Sequence, residues 1–327
     1  MPAARGQTKR AFNLSIVTFL RSQIYAVTCG PGSKAGHSLF CAPAKQQTMP
    51  QSTAADIGLD PQQLAPQDGF HCGHFFYRFD RAKLAALDVI DAENFERVLS
   101  PAESEAPARI QIGIVSGHKA DFSLMVMDPD PIKVESVNQQ LLATTIGQTL
   151  VPTWSYISLS EISEYVQSPE QYRDRLIRSG EDPSGTAIET KVEAYSKRLV
   201  KMNHDRLTPN FPIEGYPASC FYPMNKWRYP GANWFGLSSS ERNKLMSEHA
   251  RSGMKFAGKV KQLITVGVGL DDWEWGVTLW ATNPLHLKQI VYDMRFDEAS
   301  AKYAEFGPFY TSYIATPAQI LKACQVV

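Results

Sequence analysis

The chain has 327 residues, enough for about two domains and a sizeable core. Lys plus Arg and Asp plus Glu each number 33, so the formal net charge is zero and nothing points to a nucleic-acid or polyanion partner. The five cysteines, Cys29, Cys41, Cys72, Cys220 and Cys324, form no CxxC pair; the odd count without zinc spacing fits a reducing compartment and no disulfide framework.

The first 55 residues carry Arg5, Lys9, Arg10, Arg21, Lys34 and Lys45 but no acidic residue. The run 11–20 is apolar yet too short to span a bilayer. This segment reads either as a transit or export signal or as sequence ahead of a true start near Met49. Residues 1–67 are expected to form a basic extension, disordered or targeting, and no later segment is long and apolar enough for a membrane helix.

From residue 68 one pattern occurs twice. Residues 71–80 predict a strand, and 81–100 a helix with Leu84, Leu87, Ile90, Phe95 and Val98 at helical spacing. Two strands follow at 109–118 and 122–128, joined by a turn in which His118 and Lys119 read as surface residues. A helix at 131–148 opens on Pro131, and a strand at 153–162 closes the first half. Residues 166–214 read as a helical connector, with helices near 170–178 and 189–202 around a polar loop.

The second half repeats the order: a strand at 219–226, then a helix to about residue 256 opened by a Ser238–Glu241 capping box. Strands at 259–269 and 273–282, a helix from Asn283-Pro284 to Arg295, and a strand at 308–315 complete it. Each half, 68–165 and 215–327, reads as a ferredoxin-like βαββαβ unit of the α+β class. Two such units in one chain build a dimeric α+β barrel with helices outside.

Strand alternation puts Tyr222, Met224 and Lys226 on one face, a redox-capable phenol beside a proton donor. His249 shares a helix face with Leu245 and Gly253, so the small glycine leaves room beside it for something flat, such as a porphyrin. The imidazole reads either as a satisfied structural histidine or as an iron ligand. Gln262 lies on a face otherwise made of Val260, Ile264, Val266 and Val268. A buried amide needs a partner, since an unpaired one costs about 1–3 kcal/mol, so Gln262 bonds the backbone or sits over an open iron position. Arg295 and Ser300 flank the acidic pair at 297–298 and read as a helix end or as carboxylate recognition. Trp273 and Trp275 read as barrel packing.

Several of these segments together resemble the chlorite dismutase superfamily, and within it the coproheme decarboxylases of bacterial haem synthesis. They are FYPMNK at 221–226, EHARSGMKFAGK at 248–259, LDDWEWGVTL at 270–279 and RFDEASAKYAEFGPFY at 295–310. In the first half, GHKAD at 117–121 and SYISLSEISEY at 155–165 are also similar to the family. The resemblance spans about residues 68–315 and implies the barrel fold, homopentamer assembly, and iron porphyrin bound in the second half. It implies Tyr222 as a radical-forming tyrosine, Lys226 as its assisting lysine, His249 as axial iron ligand and Gln262 as the distal amide. Arg295, Ser300 and, less closely matched in RLTP at 206–209, Arg206 fall at propionate-contacting positions with Tyr222 and Lys226. Relatives that dismutate chlorite carry arginine at the distal position, so Gln262 argues against that chemistry. Asn225 and Trp227 depart from the commoner residues around the lysine. The implied activity is conversion of two propionates of iron coproporphyrin III to vinyls, giving haem b, with hydrogen peroxide as oxidant. A coproporphyrin ferrochelatase is the implied donor and the cytoplasm the expected location. Chlorite dismutation and non-catalytic haem carriage remain the alternatives.

Overall fold

The computed structural model describes residues 51–327. Residues 1–50, with the apolar run 11–20 and Met49, lie outside the described residues. Residues 51–67, expected within the extension, instead carry ordered contacts. Ser52 N–H donates to Ser136 Oγ at 2.9 Å and Ala54 N–H to Asp130 Oδ2 at 2.7 Å, with Ala54 fully buried. A short helix, α1 (Pro61–Leu64), follows, capped by Asp60.

The first half runs β1 (His71–Phe79), α2 (Arg81–Ala85), α3 (Ala92–Leu99), β2 (Arg109–Val115), β3 (Phe122–Asp128), α4 (Pro131–Ala143) and β4 (Leu150–Ser160). The single helix expected over 81–100 is two. Asp80 caps the first, and Asp91 accepts from Asn94 N–H to start the second, leaving Val89 and Ile90 exposed between them. The helix expected to reach 148 stops at Ala143. Thr144 Oγ1 donates to Leu141 O and accepts from Gly147 N–H, which closes the end. Only glycine fits at 147, because a Cβ there would meet Leu141 O at 1.8 Å.

The connector holds α5 (Pro169–Arg178) and α6 (Thr186–Leu207). The second half then runs β5 (Ala218–Lys226), a hairpin of β6 (Arg228–Tyr229) and β7 (Ala232–Asn233), α7 (Ser239–Met254), β8 (Val260–Val266), β9 (Trp275–Ala281), α8 (Pro284–Met294), α9 (Glu298–Ala301), β10 (Ala304–Phe306) and β11 (Tyr310–Ile314). The small hairpin, α9, β10 and a final helix, α10 (Pro317–Ala323), were not foreseen. Ile320 and Leu321 of α10 complete the outer core of the first half with Phe95, Phe122 and Leu141.

Both halves share one strand order: β2-β3-β1-β4 in the first and β8-β9-β5-β11 in the second. They join at β4–β8 and β11–β2, so the antiparallel sheet closes into a barrel. Inside, polar groups tie the halves together. Trp280 Nε1–H donates to Gln111 Oε1 at 2.8 Å, and Ser158 Oγ donates to Thr265 Oγ1 at 2.8 Å.

His74 is buried in this interior, its Nε2 3.0 Å from Thr278 Oγ1 and its ring stacked 4.2 Å from Phe221. Burial pushes its pKa down from 6.5 to about 3. The unfolded chain therefore gains a proton below pH 6.5 that the folded chain refuses. Stability supplied by the neutral imidazole is complete above pH 6.5 and is lost toward pH 3, at up to about 1.4 kcal/mol per pH unit. Denaturant melts between pH 7 and pH 4 should show that slope, and His74→Gln should flatten it. An unchanged slope in the variant would contradict the assignment.

Candidate active site

One outer face of the second half gathers most of the expected residues. Cys220, Tyr222 and Met224 of β5 lie opposite Leu279, Val277 and Trp275 of β9, and those lie opposite Gln262, Ile264 and Val266 of β8. Residues directly across a ladder share a face, so Gln262 and Tyr222 look out on the same side. Helix α8 covers this face with Leu287, Ile290 and Val291.

Tyr222 is 7% exposed, stacked on Phe309 at 4.5 Å and tilted against Phe306 at 5.8 Å. Burial pushes its phenol well above the ordinary range; the neighbouring Cys220 adds to this and Arg295 opposes it. The Arg295 guanidinium lies 4.5 Å from the Phe306 ring. A cavity of about 350 Å³ opens between α8 and the sheet, floored by Cys220, Leu287, Val291 and Phe309 with Lys288 and Arg295 among its lining. That volume lies at the lower end of ligand pockets.

Helix α7 begins where its sequence signature requires. Ser238 and Glu241 form a reciprocal capping box, and Leu245 is buried beneath the helix. His249 lies one turn on with its side chain 26% exposed. Its Nδ1 is 3.0 Å from Asp297 Oδ2 and 3.4 Å from Ser300 Oγ. An ionised carboxylate only accepts, so Nδ1 carries the hydrogen and Nε2 keeps its lone pair for a metal. Burial works to raise the Asp297 carboxyl, but the bonds from His249 and Ser300 outweigh it and hold the pKa below the ordinary value. Asp297 also caps α9 by accepting from Ser300 N–H at 2.9 Å.

Lys226 reaches the same α9 turn. Its Nζ donates to Ala299 O at 3.2 Å and sits 4.2 Å from the Trp234 ring centroid. Burial lowers its pKa to about 8, against the pull of Asp297 and Glu274. Glu274, 8% exposed, accepts from the Lys226 backbone N–H at 2.8 Å and from Arg228. Asn225 Oδ1 in turn accepts from Glu274 N–H at 2.9 Å, which gives this departure from the family pattern a structural use.

One expectation changes. Gln262 is exposed, so its amide meets water and carries none of the burial cost argued from its apolar neighbours. Arg206 is half-buried on α6 beside Glu161. Lys119 is exposed, as its place in the turn suggests, and also donates to Phe309 O at 2.6 Å. Trp273 packs with the interior aromatic cluster as expected, whereas Trp275 faces the site with Met224. Asp297 and Glu274 escaped the reading, although the Asp297–Ser300 spacing is itself a helix-start signal.

The donor set fits an iron porphyrin. With Nδ1 held by Asp297, His249 presents a single neutral nitrogen donor, which suits a metal that brings its other ligands with it. One turn on, a Cβ at Gly253 would meet only Met294 Cε, at 3.6 Å, which leaves space beside the imidazole. The apolar face suits a macrocycle, and Arg295, Lys226 and Ser300 suit carboxylate arms.

The chlorite dismutase family profile matches residues 90–315. A coproheme decarboxylase from Staphylococcus carnosus is 38% identical over 254 residues, covering 76% of this chain and 92% of that protein. One from Oceanobacillus iheyensis is 36% identical over 249 residues, covering 74% and 90%. Among solved structures, a haem-binding protein from Thermus thermophilus superposes with a TM-score of 0.62 at 28% identity, covering 85% of this chain and all of that one. A mutant chlorite dismutase from Candidatus Nitrospira defluvii, at 16% identity and TM-score 0.58 over 81% of this chain and 99% of its own, shares the fold. With more than half of its length matched by the family profile, this chain belongs to the chlorite dismutase family.

Proposed function

We propose that this protein is a coproheme decarboxylase, taking iron coproporphyrin III and hydrogen peroxide to haem b at the end of haem synthesis. The observation that carries the reading is a buried phenol, Tyr222, on the same strand face as Lys226, whose amine reaches the α9 turn that also carries Asp297, the carboxylate holding the His249 Nδ1. Mere haem carriage needs neither the phenol nor the lysine. The curated relatives' name supports the same reading.

Bound iron, fed by peroxide, supplies the oxidising equivalents. His249 would hold the metal through Nε2, with Asp297 fixing the ring through Nδ1. Tyr222 gives up an electron and its phenolic proton. The phenoxyl takes a hydrogen atom from a propionate β-carbon, restoring the phenol; the carbon radical then gives up a second electron to the remaining oxidising equivalent as carbon dioxide leaves, and a vinyl remains. Each propionate consumes one peroxide, which leaves as two waters. Lys226, charged below about pH 8, holds a proton near the reacting carboxylate. Arg295 and Ser300 orient carboxylate arms. Gln262, on the same sheet face as Tyr222, would offer a bound porphyrin an amide without adding charge. Assembly as a pentamer, a cytoplasmic location and delivery by a ferrochelatase belong to the same reading. Among the described residues, no helix is long and apolar enough to cross a membrane.

Two measurements test this. Turnover should fall as pH rises through about 8, where Lys226 loses its proton, and Lys226→Met should lack that limb. Persistence of the limb in the variant would remove Lys226 from its role. Chlorite added to the haem b form should give no sustained oxygen; steady oxygen evolution would restore the dismutase alternative.

A further inference from the structure

Lys119 belongs to the GHKAD turn of the first half, which supplies none of the chemistry argued above. Its Nζ nevertheless donates to the backbone carbonyl of Phe309 in the second half at 2.6 Å and lies 5.4 Å from the Tyr310 ring centroid. Phe309 sits in the bend between β10 and β11. β10 pairs with β5 at Ala304 to Phe306, and β11 resumes at Tyr310 opposite Phe221, so neither ladder includes Phe309. Its carbonyl is satisfied by a side chain from the other half of the barrel.

The rest of the bend is fixed on both sides. Gly307 N–H donates to Pro223 O at 2.8 Å and Ser116 N–H donates to Thr311 O at 2.9 Å. A Cβ at Gly307 would approach Pro223 Cγ to 2.6 Å and Trp273 to 2.9 Å, so the bend lies hard against the sheet. Phe309 projects from it to stack on Tyr222 at 4.5 Å and to wall the cavity beside α8.

We propose that Lys119 is a positioning residue: by holding the Phe309 carbonyl it fixes the ring that sets the orientation of the Tyr222 phenol. The effect on turnover rests on the role proposed for Tyr222; the geometric coupling does not. Lys119 is exposed, so Lys119→Met keeps the stem and removes only the donor, while Lys119→Arg restores a cationic donor.

The test uses full-length apoprotein carrying 3-fluorotyrosine, with the Tyr222 fluorine signal identified by its loss in Tyr222→Phe. Lys119→Met should shift or broaden that signal, Lys119→Arg should restore it, and Phe309→Leu should reproduce the shift. In coproheme-loaded protein, Lys119→Met should lower kcat about tenfold with coproheme affinity unchanged, the pattern of a misplaced reacting group. A Tyr222 signal identical in wild type and Lys119→Met overturns the proposal whatever the activity. A shifted signal with unchanged kcat upholds the coupling and counts instead against the role given to Tyr222.

Discussion

Tyr222→Phe should bind iron coproporphyrin III like the wild type and decarboxylate it at least about 10³-fold more slowly, a barrier increase of about 4 kcal/mol. The substitution removes one oxygen. Phenylalanine fills the same space against Phe309 and Phe306, so packing is preserved. The phenolic oxygen has no hydrogen-bond partner among the described residues, so its loss strands no buried donor or acceptor. Melting should therefore change by less than about 1 kcal/mol. What the variant lacks is the O–H bond whose hydrogen and electron the reaction needs. Porphyrin titration followed by visible absorbance measures binding, and mass spectrometry of extracted porphyrin measures turnover. Decarboxylation within a few-fold of wild type would remove the phenol from the mechanism.

The second large effect falls on His249. His249→Ala should abolish axial ligation by the protein, changing the visible spectrum of the bound iron porphyrin, and added imidazole should restore it. Asp297 gives a finer test because it acts twice, orienting the imidazole and capping α9. Loss of a carboxylate behind a ligating histidine typically costs 10–100-fold in affinity or activity. Loss of a cap alone costs about 1 kcal/mol of stability. Asp297→Asn keeps an oxygen for the cap but not the charge behind the ring, whereas Asp297→Ala loses both. Both variants should weaken iron ligation about 10–100-fold, and only Asp297→Ala should also melt early. Ligation unchanged in Asp297→Asn would reduce Asp297 to a cap.

Much of this arrangement is legible in the sequence, for identifiable reasons. The strand Phe122–Asp128 and the helix opened by Ser238 and Glu241 sit where period and capping place them, because each signal is local and nothing opposes it. The helix over 81–100 fails because periodicity is blind to two competing caps; Asp80 and Asp91 each start their own helix. Gln262 reads as a buried amide because its neighbours along β8 are apolar. Exposure depends on how far α7 and α8 cover that edge, which no strand pattern encodes. Tyr222, Lys226, His249, Arg295 and Ser300 come together around α8 and α9, yet the reading missed Asp297 between two of them. Its role depends on a helix 48 positions away in sequence. Lys119 is exposed, as its turn position suggests; its bond to Phe309 O is invisible until the other half of the barrel is placed against the turn.

The reading of the whole site is tested most directly by adding hydrogen peroxide stepwise to the purified protein loaded with iron coproporphyrin III. The extracted porphyrin is then weighed by mass spectrometry. Loss of two carboxyl groups in succession, ending in haem b at about two peroxides per porphyrin, is the predicted result. Porphyrin that stays bound and unchanged, or only bleaches, would contradict it and leave a haem-binding protein on the same barrel.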